Sequence, residues 1–286
     1  MVAGDDASDL TLPARGLVCG PFDPADPRDA FLQAFAEEAC GHLTVHATEQ
    51  DGRGPANLIG FDVVFGYGSA AGAPGRILAA GIGARYVPVT APGRLEAVAA
   101  GRSRRPSCPR ESVPRICLFG PESTGKSTLG LALAEHFGTV MAPEYGRLYT
   151  ETFGQECGAE DLRRIVIGHR AGTRAAGRWA NAVLIEDTDP VLTAIWSDVL
   201  TGQRDPWFEG YRDTADLYLL TGIDVPWVAD DVRYFPAEAA RRDFHDRCRA
   251  ELVRRALDFV EVTGDPATRL ATALEAIRER FPDIAA

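Results

Sequence analysis

The chain has 286 residues, 45% hydrophobic and 25% charged, with a formal net charge of −11, an ordinary globular balance with room for one large domain or two modest ones. An acidic chain lacks the basic face of a typical nucleic-acid binder, and no apolar run approaches the ~20 residues that cross a bilayer. Six scattered cysteines and a Gly4-Asp5-Asp6 start without a secretory signature point to reduced thiols in a cytoplasmic protein with small-molecule partners, no nucleic acid and no membrane, and leave room for a homo-oligomer.

In chain order, residues 1–13 read as a frayed tail. A strand at 16–19, a helix at 30–39, a strand at 43–45, a polar turn at 50–55 and a strand at 61–65 follow. A helix within 70–82 and a short strand at 86–89 come next, and Pro88 puts that strand at a sheet edge. This alternation makes residues 1–100 an α/β unit. After a short helix at 94–100, the basic, Pro-rich run at 101–113 reads as a solvated linker to a second domain at 114–286. There the expected strands lie at 115–119, 139–141, 182–185, 217–220 and 259–262. The expected helices lie at 125–137, 161–178, 190–200, 237–257 and 266–280, with a loop at 224–236.

The second domain opens on Gly120-Pro121-Glu122-Ser123-Thr124-Gly125-Lys126-Ser127-Thr128, which has the form G-x-x-x-x-G-K-S of a Walker A loop. An apolar strand precedes it and a periodic helix follows, which is the context this motif needs. Glycine lets the backbone turn its N–H groups toward phosphates, and the helix adds the positive end of its dipole. Lys126 can reach β- and γ-phosphates, and Ser127 can ligate Mg²⁺. The predicted architecture is therefore a P-loop NTPase parallel sheet with helices on both faces, binding ATP with Mg²⁺.

Ligands in such sheets sit beyond the carboxyl ends of the strands, where three further clusters fall. Asp187, after an apolar strand, suits a Walker B aspartate that holds Mg²⁺ with Ser127. Asp189 has two readings, contact with metal or substrate and N-cap of the helix opened by Pro190. Glu144 also has two, a base or hydroxyl-binding carboxylate and an ion pair with Arg147. Tyr145 and Trp227 can stack on a flat ring or simply pack. Arg233, with Arg241 and Arg242 beyond it, suits an arginine lid, although a solvated helix face is the better reading for the last two.

Residues 115–281 resemble the ribosylnicotinamide kinase domain of NadR-type proteins. The matching words are the phosphate loop, Glu144-Tyr145-Gly146-Arg147, Asp187-Thr188-Asp189, Ile195-Trp196-Ser197, Asp216-Leu217-Tyr218-Leu219-Leu220 and Asp224-Val225-Pro226-Trp227-Val228. Asp231 stands where that family has glycine. The resemblance implies ATP-dependent phosphorylation of nicotinamide riboside. Lys126, Glu144, Asp187, Asp189 and Arg233 would then serve catalysis, and Glu144, Tyr145, Asp189 and Trp227 would hold the substrate. Alternatives are a kinase for another small molecule and a slow nucleotide-sensing regulator. The same resemblance makes the first unit a small, degenerate Rossmann-like α/β domain of adenylyltransferase type. Gly20, Phe22 and Pro24 of its G-x-F-x-P-x-H-x-G-H motif are kept, but both histidines are aspartates, Asp26 and Asp29, and the glycine is Arg28. Aspartates would repel a triphosphate, so adenylyl transfer is expected to be lost.

Overall fold

The computed structural model describes residues 12–20, 23, 25–47, 62–68, 70, 73, 76, 78–80, 83–101, 113–227 and 237–284. The turn expected at 50–55, nearly all of the expected tail and linker, Asp231 and Arg233 lie outside them.

Two parallel sheets form. In the first, β1 (Leu12–Gly20), β2 (Cys40–Ala47), β3 (Val63–Tyr67) and β4 (Arg85–Val89) lie in the order β2-β1-β3-β4. β4 is indeed an edge strand, where Pro88 removes no needed ladder donor. Helix α1 (Pro27–Ala39) crosses between β1 and β2. Its N-cap is Asp26, whose carboxylate accepts the Arg28 and Asp29 N–H groups, while Asp29 accepts the Asp23 N–H at 2.8 Å. The two aspartates of the altered motif therefore serve to start a helix.

The second sheet contains β5 (Arg115–Phe119), β6 (Met141–Ala142), β7 (Leu184–Asp187), β8 (Leu217–Thr221) and β9 (Phe259–Val262), in the order β6-β7-β5-β8-β9 and all parallel. Its side chains alternate as period-2 geometry requires. Ile116, Leu118, Leu217 and Leu219 join Leu129, Leu133, Ala273 and Ile277 of α3 (Lys126–His136) and α8 (Pro266–Arg280) on one face. Cys117, Phe119, Tyr218 and Leu220 face the other way, toward α5 (Ala159–Gly177), α6 (Pro190–Thr201) and α7 (Glu238–Arg254). This is the P-loop NTPase arrangement, with helices on both faces. Among the described residues no helix is long and apolar enough to cross a membrane.

Two boundaries differ from the sequence reading. The stretch after β6 becomes a helix, α4 (Tyr145–Phe153), with an amphipathic face of Tyr145, Leu148, Tyr149 and Thr152 turned inward. Residues around 90–93, on the first unit's side of the expected boundary, already pair with the second sheet. Gly93 and Met141 exchange backbone hydrogen bonds of 2.8 and 3.1 Å just before α2 (Leu95–Ala100). The hydrophobic core is shared as well, since Phe31, Phe35 and Phe65 of the first unit belong to the same buried cluster as Tyr145, Ala171 and Phe119 of the second.

Candidate active site

The phosphate loop is held open by left-handed backbone at Gly120 (φ 129°), Ser123 (φ 56°) and Gly125 (φ 80°). A Cβ on Gly120 would lie 3.0 Å from the Thr221 carbonyl oxygen, so glycine there satisfies both conformation and space. The loop is braced from behind. Thr124 and Thr221 hydroxyls meet at 2.7 Å, and Arg269, which is buried, donates to the carbonyls of Thr124 (2.7 Å), Gly264 (2.8 Å) and Gly222 (3.2 Å) and pairs with Asp224. Thr124, Thr221 and Arg269 come from β8 and α8 as well as the loop, so nothing in the contiguous motif signals the last two.

A cavity of about 540 Å³ opens over this loop. Gly120, Glu122, Ser123, Thr124, Gly125, Lys126, Ser127 and Thr128 all line it, as do Glu144, Tyr145 and Asp187. Lys126 rests on the Gly120 and Pro121 carbonyl oxygens, 3.1 and 2.6 Å away. Ser127 Oγ donates to Asp187 Oδ2 at 2.5 Å, and Asp187 Oδ1 is buried with no hydrogen-bond partner among the described residues. Two oxygen donors, one of them unspent, suit a hard cation such as Mg²⁺. Burial pushes the Glu144 carboxyl above its ordinary range; Lys126 opposes that shift and Asp187 adds to it.

Other expected residues land elsewhere. Of its two readings, Asp189 takes up the N-cap place of α6. It is 1% exposed, accepts the Val191 N–H at 3.0 Å and the Tyr218 hydroxyl, and is absent from the cavity wall. Trp227 also lies off the wall, its indole nitrogen buried without a partner among the described residues. Arg147 lines the cavity and pairs with Glu151 one turn further on, at 2.9 Å. Arg241 is not the solvated residue expected. It is 4% exposed and points Nη2 at the carbonyls of Ser123 and Val225, 3.4 and 3.3 Å away, whereas Arg242 is exposed and pairs with Glu238.

Wall residues that the sequence reading did not single out as site residues include His169, Trp196 and Phe35. His169 is 5% exposed and faces the fully buried Glu186 at 4.0 Å. Burial pulls the Glu186 carboxyl upward, but Arg115, with His169 assisting, holds it below its usual range. A helical position between Gly168 and Arg170 gave no signal that His169 would face inward.

Comparison with known proteins agrees with this fold. A family model described as AAA domain matches residues 115–269. Two proteins named Trifunctional NAD biosynthesis/regulator protein NadR, from Escherichia coli (strain K12) and Salmonella typhimurium (strain LT2), are each 32% identical over 174 residues, covering 58% of this chain. The match covers 42% of each of those relatives, so the chain answers to less than half of their length. The crystal structure of NadR protein in complex with NR superposes with a TM-score of 0.53 at 18% identity, over 95% of this chain and 89% of that one, a likeness of fold. Matched over more than half its length and built around a braced phosphate loop on a five-stranded parallel sheet, this chain belongs to the AAA domain family and is similar to NadR proteins.

Proposed function

We propose that the chain is an ATP-dependent nucleoside kinase whose acceptor is the 5′-hydroxyl of nicotinamide riboside. The observation that carries this reading is one cavity shared by Lys126, Ser127, Asp187 and Glu144 and continued by aromatic walls. The names of the relatives, which include NAD biosynthesis, and a NadR structure holding NR support the choice of acceptor.

In this mechanism the loop amides and Lys126 take the triphosphate, with phosphate oxygens replacing the two carbonyls that Lys126 now contacts. Ser127 and Asp187 would hold Mg²⁺, which when bound would supply neutralisation of charge on the phosphate oxygens. Glu144 orients the acceptor hydroxyl and receives its proton. The apolar walls exclude water, so the γ-phosphoryl group passes to the nucleoside in preference to hydrolysis. The first unit is assigned no adenylyl transfer, because Asp26 and Asp29 bring negative charge where the triphosphate would lie.

Purified protein is incubated with ATP, Mg²⁺ and a nucleoside panel, and products are read by mass. Nicotinamide mononucleotide, lost in Lys126→Ala, is the expected result. A different phosphorylated nucleoside would overturn the acceptor, and ligand binding without Lys126-dependent product would leave a sensor in place of an enzyme.

A further inference from the structure

The first unit reaches into the cavity just described. Phe35, on α1, and Thr90, after β4, line it together with Lys126 and Glu144 from the second unit. Phe35 is 2% exposed and stacks on Tyr145, with ring centres 6.0 Å apart and planes 28° apart. Phe65 backs it edge-on at 6.2 Å.

Helix α5 is shaped to receive this pair. Gly168 leaves space for the Tyr145 ring, which a Cβ would overlap at 2.1 Å, and Gly172 faces Phe35, which a Cβ would meet at 3.5 Å. The two glycines are four residues apart, so they lie on one helix face. They form a trough holding two stacked rings that come from different units.

Helix α1 is also locked in place. Arg178 donates to Glu37 at 2.8 Å and to Glu38 at 2.9 Å, and Phe31 packs on Trp179 at 5.9 Å. The Gly93–Met141 backbone pair ties down the other side.

We propose that the first unit is a working wall of the acceptor pocket, and that Phe35 is a specificity-determining residue that limits the depth open to the acceptor's flat ring. This rests on the kinase reading above. It gives the altered adenylyltransferase-like unit a task that needs none of its lost histidines, and it couples the pocket's shape to the packing of α1 on α5.

The test compares Phe35→Ala and Phe35→Leu with Phe31→Ala in the full chain. Phe31 shares the seam but does not line the cavity. Acceptor KM, ATP KM and nucleoside Kd by calorimetry are measured across acceptors of graded base size. Loss of one aromatic wall should raise acceptor KM about 10-fold, leave ATP KM within about 2-fold, and shift preference toward larger bases. Phe31→Ala should lower Tm without changing that order. An order unchanged in Phe35→Ala, with only Tm lowered, overturns the wall and leaves the kinase intact. A wild type that binds nucleosides without phosphorylating them overturns the kinase, and the wall then stands or falls on the Kd order. A wild type that binds no nucleoside overturns both.

Discussion

Gly168→Ala and Gly172→Ala make the same change one helical turn apart, and the structure gives them opposite signs. Alanine is the better helix former by about 1 kcal/mol, so each substitution starts from that gain. At Gly172 the new Cβ meets Phe35 Cε2 at 3.5 Å, an ordinary contact, so stability should rise by up to ~1 kcal/mol. At Gly168 the Cβ falls 2.1, 2.2 and 2.6 Å from three carbons of the Tyr145 ring. Carbon atoms settle about 3.5–4 Å apart, so the ring must move by more than an ångström, and Phe35 already stacks on it. Overpacking of this kind costs roughly 1–3 kcal/mol; with three ring carbons overlapped the cost falls in the upper part of that range, so it outweighs the helical gain and leaves a net loss of up to ~2 kcal/mol. At about 2–4 °C per kcal/mol for chains of similar size, the two variants should melt several degrees apart. Thermal unfolding followed by circular dichroism reads that gap. Because Tyr145 lines the cavity, Gly168→Ala should also raise acceptor KM with ATP KM unchanged. A Gly168→Ala protein at least as stable as wild type would refute the packing argument.

Three other perturbations probe the rest of the molecule. Asp187→Asn keeps the shape but removes the charge beside Ser127, and kcat should fall by about 10²–10³; a fall of under about 3-fold at saturating Mg²⁺ would remove Asp187 from the metal site. Arg269→Ala strips three loop-bracing hydrogen bonds, at a cost of about 2–4 kcal/mol with a raised ATP KM, and Arg269→Lys should recover only part because an ammonium cannot fork. An unchanged ATP KM in both would show that the brace is not needed. Glu251 is buried against Arg204, Arg254 and Arg255; burial would raise its carboxyl, but hydrogen bonds from these arginines bring it down to about 2. A folded-state value below the unfolded one stabilises above the unfolded pKa, and that contribution is lost as pH falls toward 2. Glu251→Gln should therefore lose stability on the order of 1–3 kcal/mol at pH 7 and flatten the acid limb of the Tm-against-pH curve. A curve parallel to wild type would contradict the assignment.

Much of the second unit was legible because its signals are local. Period-2 burial along β5 and β8 follows from which residues are apolar, and the phosphate loop is nine contiguous residues whose glycines permit only a few backbone paths. Asp187 could be placed for the same reason, since it directly ends an apolar strand. Asp189 could not be placed locally, because Asp before Pro190 suits either a cap or a ligand; its partner Tyr218, which takes the second oxygen, is 29 residues away. Arg241 reads as a surface arginine until α7 is packed beside Ser123.

By itself the sequence determined the phosphate grip: a turn, an ammonium, a hydroxyl and a strand-end carboxylate. Short-range backbone sterics and side-chain period are enough to shape those. Only the tertiary structure decided what closes the pocket. Phe35 reaches Tyr145 from more than a hundred residues away, and that meeting depends on α1 settling into a glycine-cleared face of α5. Such complementarity between distant surfaces appears only when both are folded and touching.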